Sequence, residues 1–329
     1  MSYSDAEAPV GAGRFAPSPS GDLHLGNLRT AVLAWLFARS SGRRFLVRVE
    51  DLDRVRPGAE QGQLADLAAL GIDWDAEVVH QSRRRRLYDD AIDRLTRAGL
   101  TYECFCTRRE IQQATSAPHA PAGAYPGTCR ALSATEREEK KASGRPPAVR
   151  LRAATDFFTV HDLLHGDFTG IVDDLVLRRG DGTPAYNLAV VVDDAAQGID
   201  QVVRGDDLLA SAPRQAYLAA LLDLPAPVYA HVPLALNEEG QRLAKRDGAV
   251  TLADQRALGH TPAEVLGRIA VSLRLADPGE PVTLPLLLDR WNPSLLPRHP
   301  WVFETEPARR DDTGTSDEVD LRAQRPDRT

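Results

Sequence analysis

No run of apolar residues in this chain approaches the roughly twenty that a membrane span needs. The opening, MSYSDAEAPVGAGR, is polar and lacks the basic-then-apolar pattern of a secretion signal. Both absences point to a protein of the cytoplasm with no membrane partner. Cysteine is scarce as well, with three in 329 residues. An odd number confined to one short window does not make a disulfide framework. Lysine is scarcer than its arginine partner: Lys140, Lys141 and Lys245 are the only lysines among 40 basic residues. There is no basic excess either. The formal net charge is −7, which alone argues against a nucleic-acid partner. From Trp301 on, however, the tail carries eight acidic and five basic residues and so supplies −3 of that charge. Local basic patches remain open to the body of the chain.

What is present is ordinary for a soluble globular protein: 43% apolar and 26% charged residues, in a chain long enough for two domains. The stretch GRFAPSPSGDLHLGN (13–27) organises the rest. Phe15-Ala16 closes a short apolar segment, Pro17 to Gly21 makes a turn, and Leu25, Leu28, Val32 and Leu36 then recur with helical period. A strand, a tight Gly/Pro loop and a helix N-terminus form an anion site, because free backbone N–H groups and the helix dipole point at the same place. His24 beside Gly26 can reach a phosphate there, although an ordinary strand-to-helix turn explains HLGN equally well.

Further along, residues 44–50 (RFLVRVE) alternate as a strand that puts Glu50 at its carboxyl end, where ligands bind in open α/β sheets. Helices are expected over 59–70 and 83–98, each stopped by a glycine. The run Arg83 to Arg86 is either a solvated face or a contact for RNA phosphates. Every cysteine then falls between 104 and 129. Cys104, Cys106 and Cys129 supply three of the four ligands of a tetrahedral zinc site, and the fourth is either His119 or Tyr125, which precedes Cys129 across a Pro-Gly turn. A closed shell of that kind is structural. Residues 132–149 are charged and Pro-rich, an exposed helix and linker, and short strands are expected at 149–151, 157–160 and 170–179.

The nucleotide fold resumes at Tyr186 and runs through Ile199 to Arg204. Arg14 and Arg204, with a tyrosine and a carboxylate, suit a ligand bearing two carboxylates and an amine, since a guanidinium donates two parallel hydrogen bonds to a carboxylate. A helix at 212–222 and a strand at 228–236 precede NEEGQRLAKRD (237–247). There Lys245 offers a compact ammonium on a flexible stem, suited to closing over a phosphate.

RFAPSPSGDLHLGN, RVEDLD, AYNLAVVVDD, VVRGDDLL and RLAKRD, in this order, resemble the glutamyl branch of class I aminoacyl-tRNA synthetases. His24 to Asn27 stands for the HIGH signature and Arg242 to Arg246 for the KMSKS loop. Asn27 replaces the second histidine, and Arg242, Ala244 and Arg246 depart from the usual Lys and Ser residues. Full-length members carry a large helical anticodon-binding part; here a short helical segment over about 262–275 and a polar tail follow instead. With that, the cysteine cluster and Tyr125 resemble the glutamyl-Q tRNA(Asp) synthetases, in which three cysteines and a tyrosine hold zinc.

The resemblance implies a Rossmann-type doubly wound parallel sheet of the α/β class, interrupted by a mixed α+β zinc-binding insertion and followed by a short helical segment. The expected divisions are an arm at 1–11, two halves of the nucleotide-binding domain at 12–100 and 185–250, the insertion at 101–184, helices at 251–300 and a disordered tail at 301–329. It implies tRNA-independent activation of L-glutamate by ATP with Mg²⁺, then transfer to queuosine in the anticodon stem-loop of tRNA(Asp), by a monomer. His24, Gly26 and Lys245 are the implied catalytic residues. Arg14, Phe15, Ala16, Pro17, Ser18, Glu50, Tyr186 and Arg204 would hold glutamate. His24, Gly26, Asn27, Leu243, Ala244, Lys245 and Arg246 would hold ATP, and Cys104, Cys106, Tyr125 and Cys129 one structural Zn²⁺. The alternatives are a synthetase charging tRNA(Glu), a silent paralogue that only binds RNA, and an unrelated nucleotidyltransferase with similar histidine chemistry.

Overall fold

A computed structural model describes residues 11–107, 109–111, 125–244 and 247–304. In chain order the elements are β1 (Ala12–Phe15), α1 (Leu25–Ser40), β2 (Arg44–Val49), α2 (Ala59–Ala69), β3 (Val79–His80) and α3 (Arg85–Arg97). Then come β4 (Thr101–Cys104), α4 (Ala134–Ala142), β5 (Ala148–Leu151), β6 (Phe157–Asp162), β7 (Gly166–Ile171) and β8 (Val176–Arg178). The chain continues through α5 (Tyr186–Ala196), β9 (Ile199–Gly205), α6 (Ala212–Leu221), β10 (Val228–Val232) and β11 (Ala235–Leu236). It closes with α7 (Leu252–Ala257), α8 (Pro262–Ser272), α9 (Leu284–Arg290) and β12 (Trp301–Val302).

The main sheet runs β3-β2-β1-β9-β10-β6-β7, parallel throughout except for β7, which pairs antiparallel with β6. Winding reverses between β1 and β9, and that reversal leaves a crevice beyond the carboxyl ends of these strands. Strand β1 is buried along its whole length, and α1 is apolar nearly all round, as a helix enclosed by a core must be. Strands β4, β5 and β8 form a separate antiparallel sheet; Cys104 ends β4, and Cys106 and Cys129 lie in the chain that follows it. The doubly wound sheet and its mixed insertion are therefore as expected.

Four details differ from the sequence reading. The β6–β7 hairpin, expected within the insertion, extends the main sheet by pairing with β10. The run 170–179 is divided between β7 and β8, and 228–236 between β10 and β11. The first residues of the expected tail are seated: β12 pairs in parallel with β11, and Phe303 is 2% exposed in the core. Residues 305–329, like 1–10, lie outside the described residues. Among the described residues, no helix is long and apolar enough to cross a membrane.

Candidate active site and metal centre

The loop after β1 hands the chain to α1 through a reciprocal cap. The His24 Nδ1 accepts the backbone N–H of Asn27 at 3.2 Å, and the Asn27 Oδ1 accepts the backbone N–H of His24 at 3.2 Å. Two of the helix's unpartnered donors are thereby satisfied. With Nδ1 acting as acceptor, the neutral imidazole carries its proton on Nε2. Gly26 sits at a close approach: a Cβ there would lie 3.0 Å from the His24 ring and 3.0 Å from the Ala235 methyl, so both neighbours would have to give way.

His24, Gly26, Asn27 and Phe15 line a cavity of about 110 Å³ whose lining also includes Gly205 and Arg242. The N-terminal side of the 242–246 loop thus meets the histidine loop across one small cavity. Arg242 reaches Asp207 at 2.6 Å, Leu243 is buried, and the Leu243 N–H donates to the Ala235 carbonyl at 3.1 Å. The Ala244 N–H donates to the Asp247 carboxylate at 2.6 Å. Lys245 and Arg246 lie outside the described residues.

A buried cluster of charge sits at the carboxyl ends of β1 and β2. The Glu50 N–H donates to the Pro17 carbonyl at 3.0 Å, tying the end of β2 to the loop after β1. Arg14, 5% exposed, donates through Nε to Asp194 at 3.3 Å and through a terminal nitrogen to the Val203 carbonyl at 3.3 Å. Arg48, wholly enclosed, reaches Asp194 at 2.7 Å, Gln197 at 3.0 Å and Glu50 at 3.3 Å. Burial would lower Arg48, but Asp194, Glu50 and Asp193 more than offset that and hold it above its ordinary value. Burial would likewise raise Asp194, yet Arg48 and Arg14 keep it below the usual carboxylate range. Glu50 goes the other way: burial lifts it above its ordinary value despite Arg48 and Arg14.

Tyr186 opens α5 and remains 44% exposed; desolvation and nearby Glu50 raise its phenol. With Ser18 and Glu50 it lines one part of a cleft of about 560 Å³ whose lining also includes Cys104 and Cys106. Arg204, at the end of β9, is buried and lowered by desolvation. Its Nε donates to the His231 Nε2 at 2.9 Å and a terminal nitrogen donates to Gln215 at 2.7 Å. Ser18, Glu50 and Tyr186 thus share the larger cleft, Arg14 and Arg204 lie within electrostatic reach of Tyr186, Pro17 is tied to Glu50, and Phe15 lines the smaller cavity, with Ala16 following directly on β1.

At the insertion, the sulfurs of Cys104, Cys106 and Cys129 all lie within 4.8 Å of one another. The Tyr125 Oη is 3.3 Å from the Cys104 Sγ and 3.5 Å from the Cys106 Sγ, and it accepts the Cys129 N–H at 2.9 Å. Three sulfurs and one phenol oxygen converge without a disulfide. Burial pushes the Cys106 thiol up to about 11, with the sulfurs of Cys129 and Cys104 beside it. The donor set fits a closed four-ligand metal shell. His119, the other candidate, lies outside the described residues.

Several residues of the site escaped the sequence reading. Arg48 looked like one alternating position of a strand, and Asp193 and Asp194 like the polar end of an apolar run. In the structure α5 turns both aspartates inward, where Asp193 accepts from Gln81 at 2.8 Å, Arg84 at 2.6 Å and Tyr88 at 2.8 Å. Two adjacent acids directly after the apolar run Leu188 to Val192, and within the same helix, are the signal that could have found them.

Residues 12–271 match the family described as tRNA synthetases class I (E and Q), catalytic domain. Among curated proteins, the chain is 69% identical over 301 residues to a glutamyl-Q tRNA(Asp) synthetase of Nocardia farcinica, covering 91% of this chain and 96% of that one. It is 55% identical over 276 residues to a glutamyl-Q tRNA(Asp) synthetase of Cutibacterium acnes, covering 82% and 78%. Among solved structures, it is similar to a glutamate tRNA ligase of Elizabethkingia meningosepticum in complex with its amino acid. There the TM-score is 0.77 at 28% identity, over 90% of this chain and 67% of that one.

Proposed function

This chain belongs to the class I tRNA synthetases (E and Q), in the glutamyl-Q tRNA(Asp) synthetase branch, and we propose that it activates L-glutamate with ATP and transfers it to queuosine in the anticodon loop of tRNA(Asp). The observation that carries this reading is the buried Arg14–Asp194–Arg48–Glu50 cluster at the sheet's switch point, joined through Pro17 to the His24 loop. Glu50, a carboxylate beside two guanidiniums that lines an open cleft, suits a ligand ammonium; two arginines nearby suit its carboxylates.

In the first step the glutamate α-carboxylate oxygen attacks the α-phosphorus of ATP in line. A P–O bond forms, the bond to the bridging oxygen breaks, and pyrophosphate leaves with its electron pair. The protein supplies position and charge rather than covalent chemistry. Glu50 pairs with the ammonium, while Arg14 and Arg204 take the carboxylates and Tyr186 covers the bound amino acid. Phe15 to Ser18 form the floor of the pocket. His24 donates from Nε2 to a phosphate oxygen, Gly26 leaves room for the nucleotide, and the Asn27 backbone N–H fixes the imidazole while its side chain caps the helix. Leu243 and Ala244 carry the loop whose Lys245 ammonium, beside Arg246, neutralises developing phosphate charge. Mg²⁺ bound with ATP supplies further neutralisation of the phosphates. In the second step the glutamyl carbonyl passes to the acceptor and AMP leaves. We place this chemistry in the cytoplasm, where ATP and tRNA are substrates.

Cys104, Cys106, Tyr125 and Cys129 would hold one zinc ion, which ties the two ends of the insertion's loop together. The cleft of about 560 Å³ joins that insertion to the glutamate pocket, which suits RNA gripped by the insertion and delivered to the adenylate. Likeness to a glutamate tRNA ligase favours a second reading, charging of tRNA(Glu). Offering tRNA(Asp) and tRNA(Glu) side by side with labelled glutamate separates the two. The proposal expects label on queuosine-containing tRNA(Asp) and none on tRNA(Glu). Label on the 3′ end of tRNA(Glu) overturns it.

A further inference from the structure

Arg204 is held by partners that its own strand does not supply. His231 sits directly across from it on β10, paired in register. Both residues are buried, and the Arg204 Nε donates to the His231 Nε2 at 2.9 Å. An arginine can only donate, so Nε2 must be the acceptor and Nδ1 must carry the imidazole proton. That proton faces Asp162, whose Oδ2 lies 2.6 Å from the His231 Nδ1 and accepts the His231 backbone N–H at 3.0 Å. The other Asp162 oxygen accepts the backbone N–H groups of Leu164 and His165 at 2.8 and 3.0 Å. Four donors therefore hold one fully buried carboxylate at the end of β6.

On its other side Arg204 donates to the Gln215 Oε1 at 2.7 Å, and the Gln215 Nε2 donates to the Asn187 Oδ1 at 3.0 Å. The Tyr229 ring lies beneath the guanidinium, 5.5 Å from centroid to Cζ. A longer contact of 3.4 Å to the Leu208 carbonyl takes a third donor. Three of the five guanidinium N–H groups are thus committed, leaving two for a ligand. If His231 lost its acceptor, the short hydrogen bond to Gln215 would be left with only the longer contact to Leu208 and the Tyr229 face to set the arginine's plane among the described residues.

We propose that Asp162 and His231 are positioning residues for glutamate binding, a buried relay in which Asp162 selects the Nδ1–H tautomer so that Nε2 can hold Arg204. This rests on the reading that Arg204 binds a glutamate carboxylate. It gives the β6–β7 hairpin a role beyond extending the sheet. The hairpin brings the one carboxylate that sets the tautomer, and so couples the insertion side of the chain to amino-acid recognition. The same shape with the wrong tautomer puts an N–H against the Arg204 N–H, which is repulsive. A carboxylate that fixes a histidine tautomer for the next group is an arrangement whose loss is felt without any change of fold.

The test measures glutamate-dependent ATP–pyrophosphate exchange for the wild type, His231→Phe, His231→Gln, Asp162→Asn and Arg204→Lys. Phenylalanine keeps the volume and removes the acceptor; glutamine can return an acceptor oxygen near Nε2. The expected result is a KM for glutamate raised about tenfold or more in His231→Phe and Asp162→Asn, a KM for ATP within about twofold of wild type, and recovery of most of the loss in His231→Gln. A role in folding alone would lower the melting temperature and leave the two KM values unmoved or moved together, and that result overturns the relay. Should His231→Phe fail to fold, Asp162→Asn carries the same prediction with the ring intact, and an unchanged KM for glutamate there overturns it. If Arg204→Lys raises the KM for glutamate and neither relay variant does, the relay is wrong and the pocket stands. If Arg204→Lys leaves it unchanged, the assignment of Arg204 to glutamate is wrong and the relay falls with it.

Discussion

His24 and Asn27 cap the same helix by exchanging hydrogen bonds, side chain to backbone in both directions, at 3.2 Å each. Where the family's signature has a second histidine, residue 27 thus meets the first one twice: its backbone N–H holds the imidazole, and its side chain holds the His24 backbone. Asn27→Ala removes one half of the exchange. It should cost about 1 kcal/mol of stability by chemical denaturation, while adenylate formation should change little, because the backbone N–H of residue 27 still holds the imidazole. His24→Ala keeps Asn27 and should slow exchange about a hundredfold, as for loss of one preorganised donor. Exchange at the wild-type rate in His24→Ala would remove the histidine from the chemistry.

Glu50 must be ionised to receive an ammonium, yet burial lifts it above its ordinary value. The carboxyl takes up its proton as pH falls through that raised pKa, so kcat/KM for glutamate should drop on the acid side at a pH above the ordinary glutamate range. Glu50→Gln should raise the KM for glutamate at least thirtyfold, about 2 kcal/mol, with little change for ATP. It should also move the acid limb down to the substrate's own carboxyl titration. A limb that stays in place in this variant belongs to some other group.

Stability should follow the opposite sign for Asp194 and Asp162, both held below the usual carboxylate range in the folded chain. For each, burial acts upward and ionic or hydrogen-bonding partners outweigh it. The unfolded chain takes up protons first as pH falls. Their contribution is thus fully present above the ordinary aspartate value, about pH 4, and is lost as pH falls from there through the folded pKa. Asp194→Asn leaves Arg14 and Arg48 short of a buried counter-charge and should cost about 3 kcal/mol at neutral pH. Its urea midpoint should also depend less on pH between neutral and acid than that of the wild type. An unchanged midpoint at neutral pH contradicts the buried-pair account.

How much of this was legible depended on sequence distance. The histidine loop could be read because a strand, a turn and a helix start lie within fifteen consecutive residues and their chemistry is local. The cysteines could be read because all three fall in one window and zinc needs few ligands. Arg48 could not: its partners Asp194 and Gln197 are about 150 residues away, and an alternating strand says nothing of which face meets another element's carboxylates. His231 was hidden for the same reason, since Asp162 reaches it only because the β6–β7 hairpin joins the main sheet beside β10. Phe303 was assigned to a coreless tail because the sequence after it is polar; parallel pairing of β12 with β11 is what seats it.

The metal centre can be tested by composition. Wild-type protein should hold about one zinc ion per chain. Cys106→Ser should lose most of it by elemental analysis and lower the melting temperature, whereas equal zinc in both proteins would refute the site. Tyr125→Phe removes the only oxygen donor of the set and should weaken retention against a chelator, with the three sulfurs still in place.

Lys245 follows a loop whose Arg242 already lines the histidine cavity. Lys245→Ala should slow adenylate formation at least tenfold, about 1.4 kcal/mol of barrier. The KM for glutamate should be nearly unchanged, since the ammonium acts on phosphate. Wild-type rates in single-turnover measurements would take this lysine out of the mechanism.

The account stands most directly on exchange of labelled pyrophosphate into ATP, measured with no RNA present. It predicts exchange that needs glutamate, saturates with it, and is not supported by glutamine or aspartate. Exchange absent at every glutamate concentration, or present only once tRNA is added, would contradict it.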